Sequence, residues 1–120
     1  MHPSYKRSLR VGELLKRELS AIIFRHVKDP GIGQITITEV TVTDDLRLAR
    51  VYVATAADPG VRAATMQALE RATSFLRAQL GARIRIRYTP ELRFFYDDTL
   101  DRAERIDRLL RDAGADHPEV

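Results

Sequence analysis

The chain has 120 residues, a length typical of one domain, and it carries a formal net charge of +3 without any cysteine. Because there is no cysteine, disulfides and thiolate metal sites are excluded. No apolar run reaches the roughly 7–15 residues of a signal peptide or the roughly 18 residues of a membrane span. We therefore expect a cytoplasmic protein that makes no membrane contact.

The charges are distributed unevenly along the chain. Residues 1–28 carry seven Lys or Arg and two Glu, and residues 62–93 again carry seven Arg and two Glu. Residues 29–61 and 94–120 have a net negative charge. If the two basic segments fold together, they form a polarised surface of the kind that binds nucleic acid, although charge runs also form ordinary solvated faces.

The first half of the chain predicts a helix followed by a β-hairpin. Residues 4–27 place apolar side chains at helical spacing, and the sequence Asp29-Pro30-Gly31 ends that helix. Residues 33–45 alternate Ile or Val with Thr, which is typical of a strand, and the alternation shifts near Thr38 and Glu39, which indicates a bulge. Residues 46–56 predict the antiparallel partner strand.

The second half predicts a long helix, a strand and a last helix. Helical spacing returns over residues 61–80 and ends at Gly81, and residues 83–96 predict a strand that bends at Pro90. Asp98 or Thr99 can cap a last helix that is closed by Gly114. The predicted fold is α+β, with a small mixed three-stranded sheet and helices on one face, in a single domain over residues 1–113 and with a flexible tail over 114–120.

The sequence RIRIRYTPELRFFYDD, at positions 83–98, raises the question of function. As a strand, it would place Arg83, Arg85 and Arg87 on one face and the intervening apolar side chains on the other. Such a face is either solvated or in contact with an anionic partner. Lys6, Arg7 and Arg10 begin the first helix, and Arg71 and Arg77 lie on the long helix, so these cations could form one groove for phosphates.

Catalytic signatures are missing from the sequence. It has no phosphate-binding loop and no nucleophile elbow, and His2, His26 and His117 share no metal-ligand spacing. Asp97, Asp98 and Asp101 form the densest acidic cluster, which could serve a metal-dependent hydrolase, but acids at the start of a helix are more simply explained by capping. We therefore predict no catalysis, no cofactor, no metal and no small-molecule substrate.

Four segments of the chain resemble the ribosome-binding factor A family of small-subunit assembly factors. Residues 90–106, PELRFFYDDTLDRAERI, are similar to the most distinctive segment of that family. The other matches are weaker singly: Arg10-Val11 with Leu14 and Glu18, Lys28-Asp29-Pro30 with Gly31 and Gly33, and Val51-Tyr52-Val53. The resemblance covers about residues 5–112 in the right order.

This resemblance implies a KH-like domain of the type II arrangement with a kinked long helix. In the family an Ala-x-Gly kink replaces the usual G-x-x-G loop, and the matching positions here are Ala72, Thr73 and Ser74. The glycine is therefore replaced by serine. Serine can bend a helix by donating a hydrogen bond back to a carbonyl, but it lacks the conformational freedom of glycine.

The resemblance also implies a role in late maturation of the small ribosomal subunit, through contacts with its 16S rRNA, by a monomer that acts often under cold stress. The residues expected to bind RNA are Lys6, Arg7, Arg10, Arg71, Ala72, Thr73, Ser74, Arg77, Arg83, Arg85 and Arg87. Two alternatives stay open from the residues alone. One is a basic adaptor that docks on an acidic protein, and the other is the small hydrolase built on the acidic cluster.

Overall fold

The computed structural model describes residues 3–26, 32, 35–55 and 58–115. Its elements are α1 (Pro3–His26), β1 (Thr36–Val42), β2 (Leu48–Ala54), α2 (Pro59–Arg83), β3 (Glu91–Tyr96) and α3 (Thr99–Ala115). This order confirms the predicted sequence of helices and strands. The expected turn at Asp29-Pro30-Gly31 and most of the expected tail lie outside the described residues. No helix within these ranges is long and apolar enough to cross a membrane.

The three strands form one mixed sheet in the order β1-β2-β3. β1 pairs with β2 antiparallel, and β2 pairs with β3 parallel, as predicted for a hairpin followed by a crossover. The register shifts between Ile37 and Glu39, which confirms the predicted bulge. The extra residue places Ile37 and Val40 on the same buried face although three positions separate them.

One face of the sheet is covered by α1 and α2, which confirms an α+β architecture consistent with a KH-like domain. The core joins buried side chains of both helices to one face of each strand: Val11, Leu15, Leu19, Ile22, Ala68, Leu69, Leu76, Leu80, Ile37, Val40, Ala49, Val51, Val53 and Leu92. α3 differs from the other helices. Its Ile106, Leu109 and Leu110 are 57%, 61% and 66% exposed, so its apolar stripe does not pack on the sheet.

α2 extends further at both ends than predicted. Asp58 caps its start, where the carboxylate accepts the N–H of Val61 at 3.0 Å. At the other end, the N–H of Ile84 donates to the carbonyl of Leu80 at 3.0 Å. The prediction of a helix end at Gly81 is therefore wrong. A further turn carries Ile84, which is buried like Leu80, into the core.

The predicted strand over residues 83–96 is also wrong in its first half, because β3 begins only at Glu91. Glu91 pairs with Leu48, the first residue of β2, and its N–H donates to the carbonyl of Arg47. Before Arg47 the chain turns back toward β1, so none of the strands that the structure describes lies beside residues 84–90. Arg83, Arg85 and Arg87 therefore do not share a strand face.

Gly12 allows α1 to lie directly on β1. A Cβ atom at this position would lie 2.7 Å from the carbonyl oxygen of Val40, closer than side chains pack. We expect Gly12→Ala to lower the free energy of unfolding by about 1–3 kcal/mol through overpacking, despite the better helix propensity of alanine. Urea denaturation measures the change.

Gly60→Ala provides the matched control, because the nearest atom to a Cβ there is Asp58 Oδ1 at an ordinary 3.6 Å. This second variant should be as stable as the parent protein or slightly more so. If both variants unfold at the same urea concentration as the parent, the contact between α1 and β1 is not tight.

Candidate nucleic-acid interface

The first turns of α1 expose three of the predicted cations. Lys6, Arg7 and Arg10 are exposed, whereas Ser8 and Val11 on the opposite side of the helix are buried. This division into an exposed and a buried side follows from helical periodicity alone. None of the three makes an ion pair or a hydrogen bond within the described part of the chain. Their charges are therefore available to a partner.

The end of α2 lies against the middle of α1. The guanidinium Nε of Arg83 is 2.8 Å from a carboxylate oxygen of Glu18, and both side chains are less than one third exposed. The charge of Arg83 is thus balanced within the protein. Lys6 and Arg10 precede Glu18 by twelve and eight residues, so they lie about 12–18 Å from this ion pair along the axis of α1.

The loop of residues 84–90 carries the next two cations. Arg85 is exposed and makes no hydrogen bond or ion pair with the residues the structure describes. The guanidinium carbon of Arg87 lies 5.5 Å from the centre of the Tyr88 ring, a cation–π contact, and Tyr88 is 66% exposed. The alternating pattern assigned Tyr88 to an apolar face, so the sequence analysis missed it as a surface aromatic.

We call the cations at these two places the basic end of the protein. It comprises Lys6, Arg7 and Arg10 of α1 with Arg83, Arg85 and Arg87 at the end of α2 and in the loop. The ion pair between Arg83 and Glu18 joins α1 to the end of α2, and the loop follows Arg83 directly, so the two places are connected through this contact.

Arg77 has a structural contact that the sequence did not predict. Its Nη2 and Nε atoms donate to the carbonyl oxygen of Thr89, at 2.8 and 3.3 Å. The side chain therefore ties α2 to the residues that precede β3. Arg71 is also exposed, but six helical positions separate it from Arg77, which turns the two side chains about 120° apart around the axis. They do not form one row.

α2 continues as a helix through Ala72, Thr73 and Ser74. The hydroxyl of Thr73 donates to the carbonyl of Leu69 at 3.0 Å, so the back-bond considered for Ser74 is made by its neighbour. Such a bond often bends a helix, and the kink stays a prediction. Ser74 is exposed while Ala72 and Thr73 are half-buried, so Ser74 alone of the three is fully open to a partner.

The open face of the sheet carries polar and aromatic residues that were not among the predicted site residues. The rings of Tyr52 and Phe95 stack with their centres 5.6 Å apart, and Arg50 and Arg93 are paired in register in the neighbouring row. The alternation in β2 had already placed Arg50 and Tyr52 opposite its apolar set. What the sequence did not reveal was the strand that lies beside them.

The acidic cluster lies at the start of α3, and each carboxylate has its own protein contacts. Asp98 pairs with Arg102, and Asp101 accepts two hydrogen bonds from Arg62 at 2.6 and 3.2 Å. Asp97 accepts the hydroxyl of Thr38 at 2.6 Å and both the N–H and the hydroxyl of Thr99. Among the described residues, no group of three or more potential metal ligands comes together.

The hydrogen bonds from Thr38 and then Thr99 lower the pKa of Asp97 to about 2, from an ordinary 3.8. The ionised carboxylate thus joins the bulge of β1 to the start of α3. These contacts favour the capping interpretation of the cluster over a catalytic one.

Arg77 and Arg85 form a matched pair for testing which arginine supports the fold. We expect Arg77→Ala to lower the free energy of unfolding by about 1 kcal/mol, because it removes charge-assisted hydrogen bonds to Thr89. Arg85→Ala should change it by less than about 0.5 kcal/mol, as for an exposed residue without such contacts. Equal effects in urea denaturation would contradict the structural role of Arg77.

Asp97→Asn tests the depressed pKa. A carboxylate whose pKa is lower in the folded state stabilises the protein above its unfolded pKa, and this stabilisation is lost as the pH falls. The variant should therefore melt below the parent protein at pH 7, and the difference should shrink as the pH falls from about 3.8 to about 2. Asp112→Asn, on the exposed side of α3, is the control and should melt like the parent throughout. A pH-independent difference would contradict this assignment.

Comparison with known proteins places the chain in a family. The model of the family "Ribosome-binding factor A" matches residues 7–110. Ribosome-binding factor A of Halothermothrix orenii is 49% identical over 106 residues, which are 88% of this chain and 87% of that protein.

Solved structures of the family agree with the fold. The crystal structure of ribosome-binding factor A from Thermus thermophilus has a TM-score of 0.66 at 29% identity, covering 74% of this chain and 93% of its own. The solution structure of a Thermotoga maritima protein described as a putative ribosome binding factor A has a TM-score of 0.67 at 29% identity. This match covers 79% of the present chain and 90% of the Thermotoga chain. A homology model of the Thermus thermophilus protein, fitted into a cryo-EM map of a 30S–RbfA complex, has a TM-score of 0.60 at 31% identity. This match covers 72% of the present chain and 90% of the fitted chain. The chain belongs to the ribosome-binding factor A family.

Proposed function

We propose that this protein binds the small ribosomal subunit through contacts between its basic end and 16S rRNA. The observation that carries the proposal is the set of exposed cations at Lys6, Arg7, Arg10 and Arg85, whose side chains have no hydrogen-bond or ion-pair partner among the residues that the structure describes. A relative fitted into a 30S complex supports the choice of partner. The protein would act as a non-catalytic monomer in the cytoplasm and assist late maturation of the subunit and processing of its rRNA, including under cold stress.

The predicted RNA-binding residues take different parts in this proposal. Lys6, Arg7, Arg10 and Arg85 would neutralise phosphates, which gives affinity without sequence preference. Tyr88, which lies beside Arg87, offers a ring on which an unpaired base could stack. Arg77 and Arg83 would act indirectly, because their contacts with Thr89 and Glu18 hold the loop that presents Arg85 and Arg87.

The spacing of the cations suits a polynucleotide better than a small anion. The cations of α1 and the end of α2 are about 12–18 Å apart, a distance that spans several successive phosphates of one strand. A partner with regularly repeated negative charge can contact both places at once. Ser74 and Arg71 on the outer side of α2 would border this surface.

The proposal predicts a graded loss of salt dependence. The double variant Arg10→Ala/Arg85→Ala should bind free small subunits more weakly in sedimentation, and the slope of log affinity against log salt should flatten by roughly one unit per lost phosphate contact. Arg108→Ala is the matched control, because Arg108 is an exposed helical arginine on α3 outside the predicted set. Its slope should equal that of the parent protein.

An unchanged slope in the double variant would remove Arg10 and Arg85 from the interface. Failure of the parent protein to sediment with small subunits at low salt would contradict the proposed function itself. Binding to a partner that survives nuclease treatment would instead favour the basic adaptor as the function.

A further inference from the structure

α3 has an apolar side that none of the described residues covers. Every residue from Arg102 to Ala113 is exposed, although Ile106, Leu109 and Leu110 are large and apolar. At about 100° per residue, these three side chains lie within about 100° of one another around the helix axis. They form a stripe of the kind that a helix normally buries, and we call them the α3 stripe.

The charges of α3 explain how it is helical without burying this stripe. An acidic residue precedes an arginine by four positions in four successive pairs: Asp98 and Arg102, Asp101 and Arg105, Glu104 and Arg108, and Asp107 and Arg111. Pairs at this spacing with the acid first stabilise an isolated helix. The first and the last of them form ion pairs in the structure. A partner would therefore meet α3 as a preformed helix.

The first turn of α3 is fixed to the rest of the domain. Arg62 of α2 donates two hydrogen bonds to Asp101, at 2.6 and 3.2 Å, and its guanidinium carbon lies 4.7 Å from the centre of the Tyr96 ring. Asp97 accepts the N–H of Thr99 at 3.0 Å. The α3 stripe begins about one turn beyond these contacts. Its direction is thus set before a partner binds, which lowers the ordering cost of binding.

The balance of charge on α3 disfavours RNA as the occupant of the stripe. The helix carries four arginines and four acidic residues, so its net charge is zero. Arg102 and Arg111 are each paired with a carboxylate. A phosphate backbone gains affinity from cations that it neutralises, and along α3 each arginine lies close to an acid. The contact that α3 can offer is therefore mainly apolar.

The extent of the α3 stripe disfavours a second copy of this chain. Three partly exposed side chains offer on the order of a few hundred Å² to a convex surface. A stable interface buries roughly 800 Å² on each partner. Two convex helices that meet along their stripes would fall short of that area. A concave groove would also enclose the methylene stems of the arginines beside the stripe, so it would bury more surface.

We propose that the α3 stripe docks in an apolar groove of a protein of the small ribosomal subunit. The inference rests on the proposed function, which brings the chain to that particle, and it adds a protein contact to the contacts with rRNA. Because α3 is fixed to the domain, binding of the basic end would hold the stripe near its own target, and the two contacts would reinforce each other. The rim of the groove would be polar and close to neutral, which matches the balanced charges beside the stripe.

Leu109→Gln/Leu110→Gln tests this contact. Glutamine has nearly the helix propensity of leucine, and both positions are exposed, so the variant should melt like the parent protein. Its affinity for free small subunits in sedimentation should fall about tenfold. The slope of log affinity against log salt should equal that of the parent, because no phosphate contact is lost.

Glu104→Gln/Arg108→Gln is the matched control. It changes two exposed positions on the opposite side of α3 and leaves the net charge unchanged. This variant should bind small subunits like the parent protein. An equal loss in both double variants, no loss in the leucine variant, or a flattened salt slope in the leucine variant would overturn the inference.

A photoreactive side chain identifies what the α3 stripe touches. The full chain with benzoyl-phenylalanine in place of Leu109 is bound to purified small subunits and irradiated, and the products are digested with nuclease and analysed by mass spectrometry. The expected product joins α3 to a protein of the subunit. A product with rRNA, or with a second copy of this chain, would show a different occupant and overturn the inference.

The same photoreactive side chain in place of Tyr88 tests the proposed function separately, because Tyr88 should cross-link to rRNA. If it does so while the probe at position 109 reaches no subunit protein, the inference alone is wrong. If the parent protein does not sediment with small subunits at low salt, the proposed function fails and the inference fails with it.

Discussion

The end of α2 is tied to the rest of the molecule at three neighbouring positions. Arg77 donates to the carbonyl of Thr89, Arg83 pairs with Glu18 of α1, and Gly81 leaves only enough space for the side chain of Thr89. These contacts let the chain leave a helix of 25 residues and enter β3 beside β2 after only seven residues. Two parallel neighbouring strands need a crossover connection, which here runs through α2 from β2 to β3. The three contacts fix the position at which this crossover ends. The loop with Arg85 and Arg87 and the start of β3 both take their positions from these contacts.

Intramolecular contacts, more than the number of basic residues, decide which arginines can bind an anion. Arg83 is neutralised by Glu18, and Arg62 pairs with Asp101 and lies over the ring of Tyr96. Both arginines hold elements together. Arg85 has the same charge but no such contact among the described residues. A formal net charge of +3 therefore says little about the electrostatic potential at any one surface.

The parts of the fold that depend on local sequence were predictable. The periodicity of α1 predicted both its buried side and the exposure of Lys6 and Arg10, and the shifted alternation in β1 predicted its bulge. The strand assigned to residues 84–90 failed because a strand exists only where a neighbour pairs with it. That neighbour, β2, begins at Leu48, and no pattern within residues 84–90 carries this information.

The candidate site was predictable in composition but not in the role of each residue. Exposure of the cations follows from periodicity, but the contact of Arg83 with Glu18 joins positions 65 residues apart. The contact of Arg77 with Thr89 depends on how the chain turns after α2. Arg77 and Arg83 both fitted the pattern of a phosphate-binding residue, but in the structure their side chains join elements of the fold. The sequence contains no signal that separates them from Arg85.

The loop of residues 84–90 is held at both of its ends. Before it, Arg83 pairs with Glu18 of α1, and after it the N–H of Glu91 donates to the carbonyl of Arg47. Within it, the carbonyl of Thr89 accepts hydrogen bonds from the guanidinium of Arg77. Arg85 is therefore carried by a short loop with fixed ends. An anionic partner that contacts Arg85 would have to order few backbone bonds, and a smaller ordering cost leaves more of the contact energy as affinity.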